Sequence, residues 1–226
     1  MPDHKDYPGA GRFVPGGRAS LATVARAASG CQGCDLHERA TQTVFGKGAA
    51  RPAAVLIGEQ PGDAEDRAGE PFVGPAGKLL DRALADAGID PGVTYTTNAV
   101  KHFRWKPAPG GGKRRIHERP DTWQVRACWP WLAAELARLA PSVVVTLGAT
   151  AGQALFGSSF RVTSTRGTQI RWSAPGLRER EEREVTVVPT IHPSAVLRAE
   201  DRDSAYAGLV SDLCVAAAAL PGRPAG

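Results

Sequence analysis

The sequence predicts an α/β fold: a single-domain, three-layer α/β/α sandwich built on a central four-stranded parallel sheet. Three observations lead there. Four short apolar runs rich in β-branched residues, Ala53–Ile57, Thr94–Thr97, Val143–Leu147 and Val185–Pro189, have the length and composition of buried strands. Segments Ala76–Ala87, Thr122–Leu139, Ala149–Leu155 and Ser204–Ala219 repeat apolar residues at helical spacing and alternate with those runs. Glu59, Asn98, Gly148 and His192 follow the four runs closely, where the active loops of a parallel sheet gather at the strand carboxyl ends.

The elements follow in order. Residues 1–18 are rich in Gly, Pro and charge without an apolar period, which predicts a flexible tail; 220–226 reads the same way, leaving 19–219 as the domain. The first run precedes a Gly-rich turn, and Pro75 suits the first turn of the helix that comes next, with Gly88 as its stop. The second run ends at Asn98. Pro141 stops the long helix that precedes the third run. Arg178–Glu184 alternates in sign and reads as a solvated loop or hairpin without chemistry. A hydrophobic fraction of 42% with 23% charged residues is that of a globular chain rather than a fibre or a disordered one. No charged and then apolar leader opens the chain, and Val215–Leu220 is too short to span a bilayer, so a cytoplasmic monomer without a membrane partner is expected.

The formal charge is +5 and the pI about 9.3. Lys101–Arg119 holds seven Lys or Arg against Glu118 alone, a local +6 that suits a polyanionic partner. Within it, Pro107–Gly112 precedes Lys113-Arg114-Arg115-Ile116-His117, which reads as a mobile basic loop. Its cations can neutralise phosphates, and a neutral imidazole oriented by a carboxylate is a nucleophile near neutral pH. A solvated loop with an incidental His fits the same residues.

Four cysteines, Cys31, Cys34, Cys128 and Cys214, include one C-x-x-C, which in a chain without a secretory leader points to metal before disulfide. Zinc, an iron–sulfur cluster and redox chemistry all remain open on that motif. Cys128, near the start of a helix, is the third ligand candidate, and for the fourth either Cys214 or His102 serves. Thiolate chemistry favours Cys214, which otherwise reads as a small buried hydrophobe.

Three further loops carry chemistry. Gly58-Glu59-Gln60-Pro61-Gly62-Asp63 offers two carboxylates and a backbone that can approach a ligand, or else a plain strand-to-helix turn with surface acids. Pro71-Phe72-Val73-Gly74-Pro75-Ala76-Gly77 presents free amides at a helix start, with Phe72 either core or stacking platform. Asn98 can read a base edge or cap a turn, and His192 in Ile191-His192-Pro193-Ser194 can donate to developing negative charge or serve structure alone.

Taken together, CQGC, GEQPGDAED, PFVGPAGKLLDRAL, TNAVKHF, GGKRRIH, ACWPWL, LGATA and IHPS, in this order between about Cys31 and Leu213, resemble the uracil-DNA glycosylase superfamily. The resemblance is to its iron–sulfur branch and, within that, to the family X type often called UdgX. It implies excision of uracil from single-stranded or duplex DNA, with free uracil as a product. Phe72 would stack on the extruded base, Asn98 would read its edge, and the backbone from Gln60 through Gly62 to Asp63 would complete the pocket, with Gln60 counted among the catalytic set. His192 would stabilise charge on uracil O2. In family X members the His of the KRRIH insertion bonds to the sugar C1′; here that is His117, with Glu59 orienting its ring or accepting its proton. Lys113, Arg114, Arg115 and Ser194 would hold DNA. Relatives read N-A-V-K-C where this chain has Asn98-Ala99-Val100-Lys101-His102, so the resemblance implies a [4Fe-4S] cluster on Cys31, Cys34, His102 and Cys128 rather than Cys214. A conventional glycosylase that activates water through Glu59 or Asp63, and a non-catalytic iron–sulfur or zinc DNA-binding module, are the competing readings.

Overall fold

The computed structural model describes residues 6–110, 114–173 and 184–221; Lys113 and most of the mixed-sign stretch Arg178–Glu184 lie outside them. The chain runs α1 (Leu21–Ala28), β1 (Lys47–Gly48), β2 (Ala54–Gly58), α2 (Asp63–Ala68), α3 (Pro75–Asp86), β3 (Thr94–Asn98), β4 (Trp105–Pro107), β5 (Arg115–His117) and α4 (Thr122–Leu139). It continues through β6 (Val143–Leu147), α5 (Ala149–Phe156), α6 (Val162–Thr165), β7 (Ile170–Trp172), β8 (Val185–Thr190), α7 (Pro193–Arg198) and α8 (Arg202–Ala218).

The central sheet has six strands in the order β1-β3-β2-β6-β8-β7, not four. The four expected strands form its parallel centre, while β1 and β7 add antiparallel edges. At two and three residues, these edges are too short to show as apolar runs, and both positions of β1 are exposed.

Helices cover both faces, so β2 and β6 are buried at every position. Alternation still decides which neighbour each residue meets. Leu56, Val145 and Val188 face Leu80 and Leu84 of α3 and Leu209 and Leu213 of α8. Val55, Ile57, Val144 and Val187 face Leu132 and Leu136 of α4. Full burial of each such side chain contributes about 1.5–3 kcal/mol. At the start of α4, Gln124 Oε1 accepts from Asp121 N at 2.8 Å, and Ser204 N donates to Asp201 at 2.9 Å at the start of α8.

Two local expectations are corrected. Part of the stretch read as a tail is packed: Gly9 N donates to Gly33 O at 3.0 Å and Ala10 is 1% exposed. Gly33 makes that approach possible, since a Cβ there would lie 2.6 Å from Ala10 N. The basic segment is also not simply a loose loop. Arg115–His117 pairs antiparallel with Trp105–Pro107, His117 opposite Trp105, in a second, two-stranded sheet. Among the described residues no helix is long and apolar enough to cross a membrane.

Candidate active site

A cavity of about 530 Å³ opens at the carboxyl ends of β2, β3, β6 and β8, as expected for a parallel sheet. Its wall includes Glu59, Gln60, Gly62, Phe72, Asn98, His117, His192 and Ser194, which sequence reasoning brought forward separately.

One half is shaped by backbone. Phe72 adopts a left-handed φ of 56°, a costly conformation for an aromatic residue, and its ring stacks against His192 at 6.2 Å between centroids and 25° between planes. Gly77 permits this turn, because a Cβ there would collide with the Phe72 carbonyl oxygen. Gly58 is required in the same way: a Cβ would strike the Asn98 amide oxygen and lie 2.7 Å from Phe72 Cζ. Asn98 is only 3% exposed, and among the described residues no hydrogen bond takes up its side-chain amide. Glu65, a residue the sequence reading missed, ties the two loops together by accepting from Gly62 N at 3.1 Å and Gly74 N at 2.8 Å. The signal was available in the Gly62-x-x-Glu65 spacing, which places Glu65 where a capping carboxylate sits.

The other half carries the titratable groups. His192 Nδ1 accepts from Ser194 N at 3.1 Å, which leaves Nε2–H as the ring's donor in the neutral tautomer. Ser194 Oγ lies 2.8 Å from the same Nδ1, so Ser194 orients His192 in addition to lining the cavity. Burial, reinforced by His117 and Arg198, pulls His192 down to about 4. His117 Nε2 lies 3.5 Å from Glu59 Oε1. Partial desolvation by the cavity wall lowers the pKa of the half-exposed His117, Glu59 opposes that shift and Arg198 adds to it. Thr150 Oγ donates to the second oxygen of Glu59, and Arg119 Nε stands 3.9 Å from it. Thr150 and Arg198 were not anticipated; Thr150 lies 91 residues from Glu59 in sequence, and Arg198 lines the cavity from the last position of α7.

Gln60, 6% exposed, grips the β4–β5 hairpin: its Oε1 accepts from Arg104 N at 3.0 Å, and its amide donates to Arg104 O at 3.1 Å and Glu118 O at 2.8 Å. Its Nε2 also lies 2.9 Å from His117 Nε2. Asp63 does not line the cavity, and Arg115 is not a free cation. Arg115 is paired with Asp63 and, at 2.6 Å, with the fully buried Asp66, while its guanidinium lies over Phe103 at 5.2 Å. Burial alone would raise the Asp63 pKa, but hydrogen bonds from Arg67 and Arg115 outweigh it and hold the carboxyl below its usual range. Arg114 is exposed. Lys113 lies outside the described residues.

Cys31, Cys34 and Cys128 are buried in one cluster with Trp131 and Ala10, and His102 is 4% exposed. Cys214 is exposed, not a buried hydrophobe. Three N–H groups point at sulfur: Gly33 N and Trp131 Nε1 at Cys31, at 3.4 and 3.1 Å, and Lys101 N at Cys128, at 3.3 Å. Thr43 Oγ donates to Ala28 O at 2.9 Å, so it accepts from His102 Nε2 at 2.9 Å, which leaves the lone pair on Nδ1. Burial pushes the Cys128 thiol up to about 12 and raises Cys34, with neighbouring thiols adding to both shifts. Among the described residues no three His, Cys, Asp or Glu side chains converge on a single ion. A multi-iron cluster instead spreads its ligands around a larger body, and three soft thiols with one imidazole, buried and met by N–H donors, suit that donor set.

The comparisons agree with this geometry. Residues 45–214 match the Uracil DNA glycosylase superfamily. The chain is 35% identical to the type-4 uracil-DNA glycosylase of Archaeoglobus fulgidus over 178 residues, 79% of this chain and 83% of that protein. Identity to the protein of the same name from Thermotoga maritima is 35% over 169 residues, 74% of this chain and 78% of that one. With the Sulfurisphaera tokodaii type-4 uracil-DNA glycosylase it is 31% over 183 residues, 79% and 76% of the two chains. A matched span covering most of the chain, and a cavity walled by the motifs at the sheet's carboxyl edge, lead to one statement: the chain belongs to the uracil-DNA glycosylase superfamily.

Proposed function

We propose that this protein excises uracil from DNA and then bonds, through His117, to C1′ of the sugar it has uncovered. The observation that carries this reading is the seat of His117: its Nε2 is 3.5 Å from a Glu59 oxygen, in the wall of the cavity that also holds Phe72, Asn98 and His192.

An extruded base costs a few kcal/mol in lost stacking and pairing, offset here by the Phe72 face and the Asn98 edge. Asn98 rejects cytosine because the amino group reverses one donor–acceptor position. As the bond from C1′ to N1 breaks, its electron pair passes into uracil, and His192 Nε2–H donates to the charge building on O2. The sugar becomes electron-poor, and one ring nitrogen of His117 forms the new bond to C1′. Glu59 accepts the proton that the resulting imidazolium gives up. The products are free uracil and a DNA–protein adduct. The basic segment, including Lys113 and the exposed Arg114, meets phosphates, while Arg115 acts through Asp63 and Asp66 to hold the hairpin that carries His117.

The cysteine site completes the proposal. Cys31, Cys34, Cys128 and His102, the last through Nδ1, would hold a [4Fe-4S] cluster, which when bound supplies a brace between the amino-terminal segment, the β3 loop and α4. No redox step is assigned to it.

The 48% exposure of the His117 side chain favours one alternative, in which water reaches C1′ and Glu59 activates it. Free uracil released from a single-uracil oligonucleotide distinguishes the two: trapping limits release to about one uracil per protein, whereas water attack gives repeated turnover. His117→Ser should convert the first behaviour into the second by opening room for water. A variant that still forms the adduct would remove His117 from this role.

A further inference from the structure

Lys101 is fully buried, and its ammonium has three acceptors: Glu135 Oε2 at 2.5 Å, Thr97 Oγ at 2.6 Å and the Asn98 carbonyl at 2.8 Å. Glu135, also fully buried, accepts from Thr97 Oγ at 3.0 Å, Tyr95 OH at 3.0 Å and Gly46 N at 3.1 Å. Placing two charges in the core carries a large desolvation penalty for each ion, and an apolar pair of similar volume is often as stable. Stability alone does not account for such a pair. What it does geometrically is seize the last two residues of β3 from below: Thr97 by its hydroxyl, Asn98 by its carbonyl. The anchor itself is rigid, since Glu135 sits on α4, seven residues after Cys128, whose sulfur accepts from Lys101 N at 3.3 Å.

Asn98 needs this hold. Its amide lies against Gly58 with no room for a Cβ between them, so a small backbone shift moves the amide along the cavity wall. Hydrogen-bond readout of a base edge tolerates about 0.5 Å of error. We infer that the Lys101–Glu135 pair is a positioning device for Asn98, setting uracil recognition by fixing the end of β3 to α4. The inference rests on the proposed reading of Asn98 as the base-edge contact.

The test uses Lys101→Met/Glu135→Gln, which removes both charges together and keeps an acceptor for Gly46 N–H and Tyr95 OH. Thr97→Val is the milder companion, should the double variant fail to fold. Single-turnover uracil release is measured for each in the full chain and again in an Asn98→Ala background, beside affinity for thymine-containing DNA. Positioning predicts a loss of roughly 10- to 100-fold for the double variant, and a smaller one for Thr97→Val, with unchanged DNA affinity. It also predicts no further loss once Asn98 is gone. An equal loss in both backgrounds, or full activity in the double variant, overturns the inference while leaving Asn98's own role intact. Full uracil release by Asn98→Ala alone would instead remove the base-reading role, and the inference with it.

Discussion

His117 and His192 share a cavity and are both drawn below the ordinary imidazole range, chiefly by the desolvation its wall imposes, which is partial for the half-exposed His117. For His117 the sign matters directly. A nucleophile needs its lone pair, which protonation removes, so adduct formation should be level above pH 6.5 and fall on acidification through the lowered pKa. Adduct rate against pH, measured under single-turnover conditions, checks this; a rate that falls between pH 6.5 and 8 contradicts it. Which residues could be read from sequence follows from what each one touches. Glu59, Phe72, Asn98 and His192 sit at or near strand ends or helix starts, so local pattern was enough to bring them forward. Asp63 is placed in the pocket by resemblance and Arg115 among the cations that meet phosphates, yet the two pair with each other across 52 residues. Long-range pairing of that kind leaves no trace in spacing.

At the scale of elements, the β4–β5 hairpin is the working part. It carries His117 and is held from two sides, by Gln60 on its backbone and by Arg115 on the acids of α2. Removing one partner of a buried ion pair costs about 3–5 kcal/mol, because the other charge is left unpaired. Arg115→Ala strands Asp66, which is fully buried. The variant should therefore lose about that much stability in denaturant unfolding and most of its adduct formation, and a normal unfolding midpoint with full adduct yield would show that the hairpin holds itself. The sequence reads as a mobile loop here because Pro107 and the glycines after it look like breakers; Pro107 is instead the last residue of β4, and each strand of the ribbon is only three residues long. The parallel strands were legible for the opposite reason, β2 and β6 as largely apolar runs buried on both faces and β3 and β8 as runs rich in β-branched residues, and the edge strands β1 and β7 were too short to register.

Across the whole molecule, two sites share one frame: the cavity at the sheet's carboxyl edge and the cysteine site behind it, joined through Lys101, which touches Cys128 with its backbone and Asn98 with its side chain. The C-x-x-C marked the second site at once, but the fourth ligand was open between His102 and Cys214 on chemistry alone. Exposure of Cys214 and burial of His102 favour the histidine. Iron content of purified protein should accordingly be unchanged by Cys214→Ala and lost with His102→Ala, and the reverse pattern would return the ligand to α8. The strongest claim concerns the fate of the DNA. Protein mixed with an oligonucleotide bearing one uracil, denatured by heat and detergent and run beside a thymine control, should give a uracil-dependent band of higher mass, with peptide mapping placing the sugar on His117. Free uracil without that band would mean that water, not His117, takes C1′.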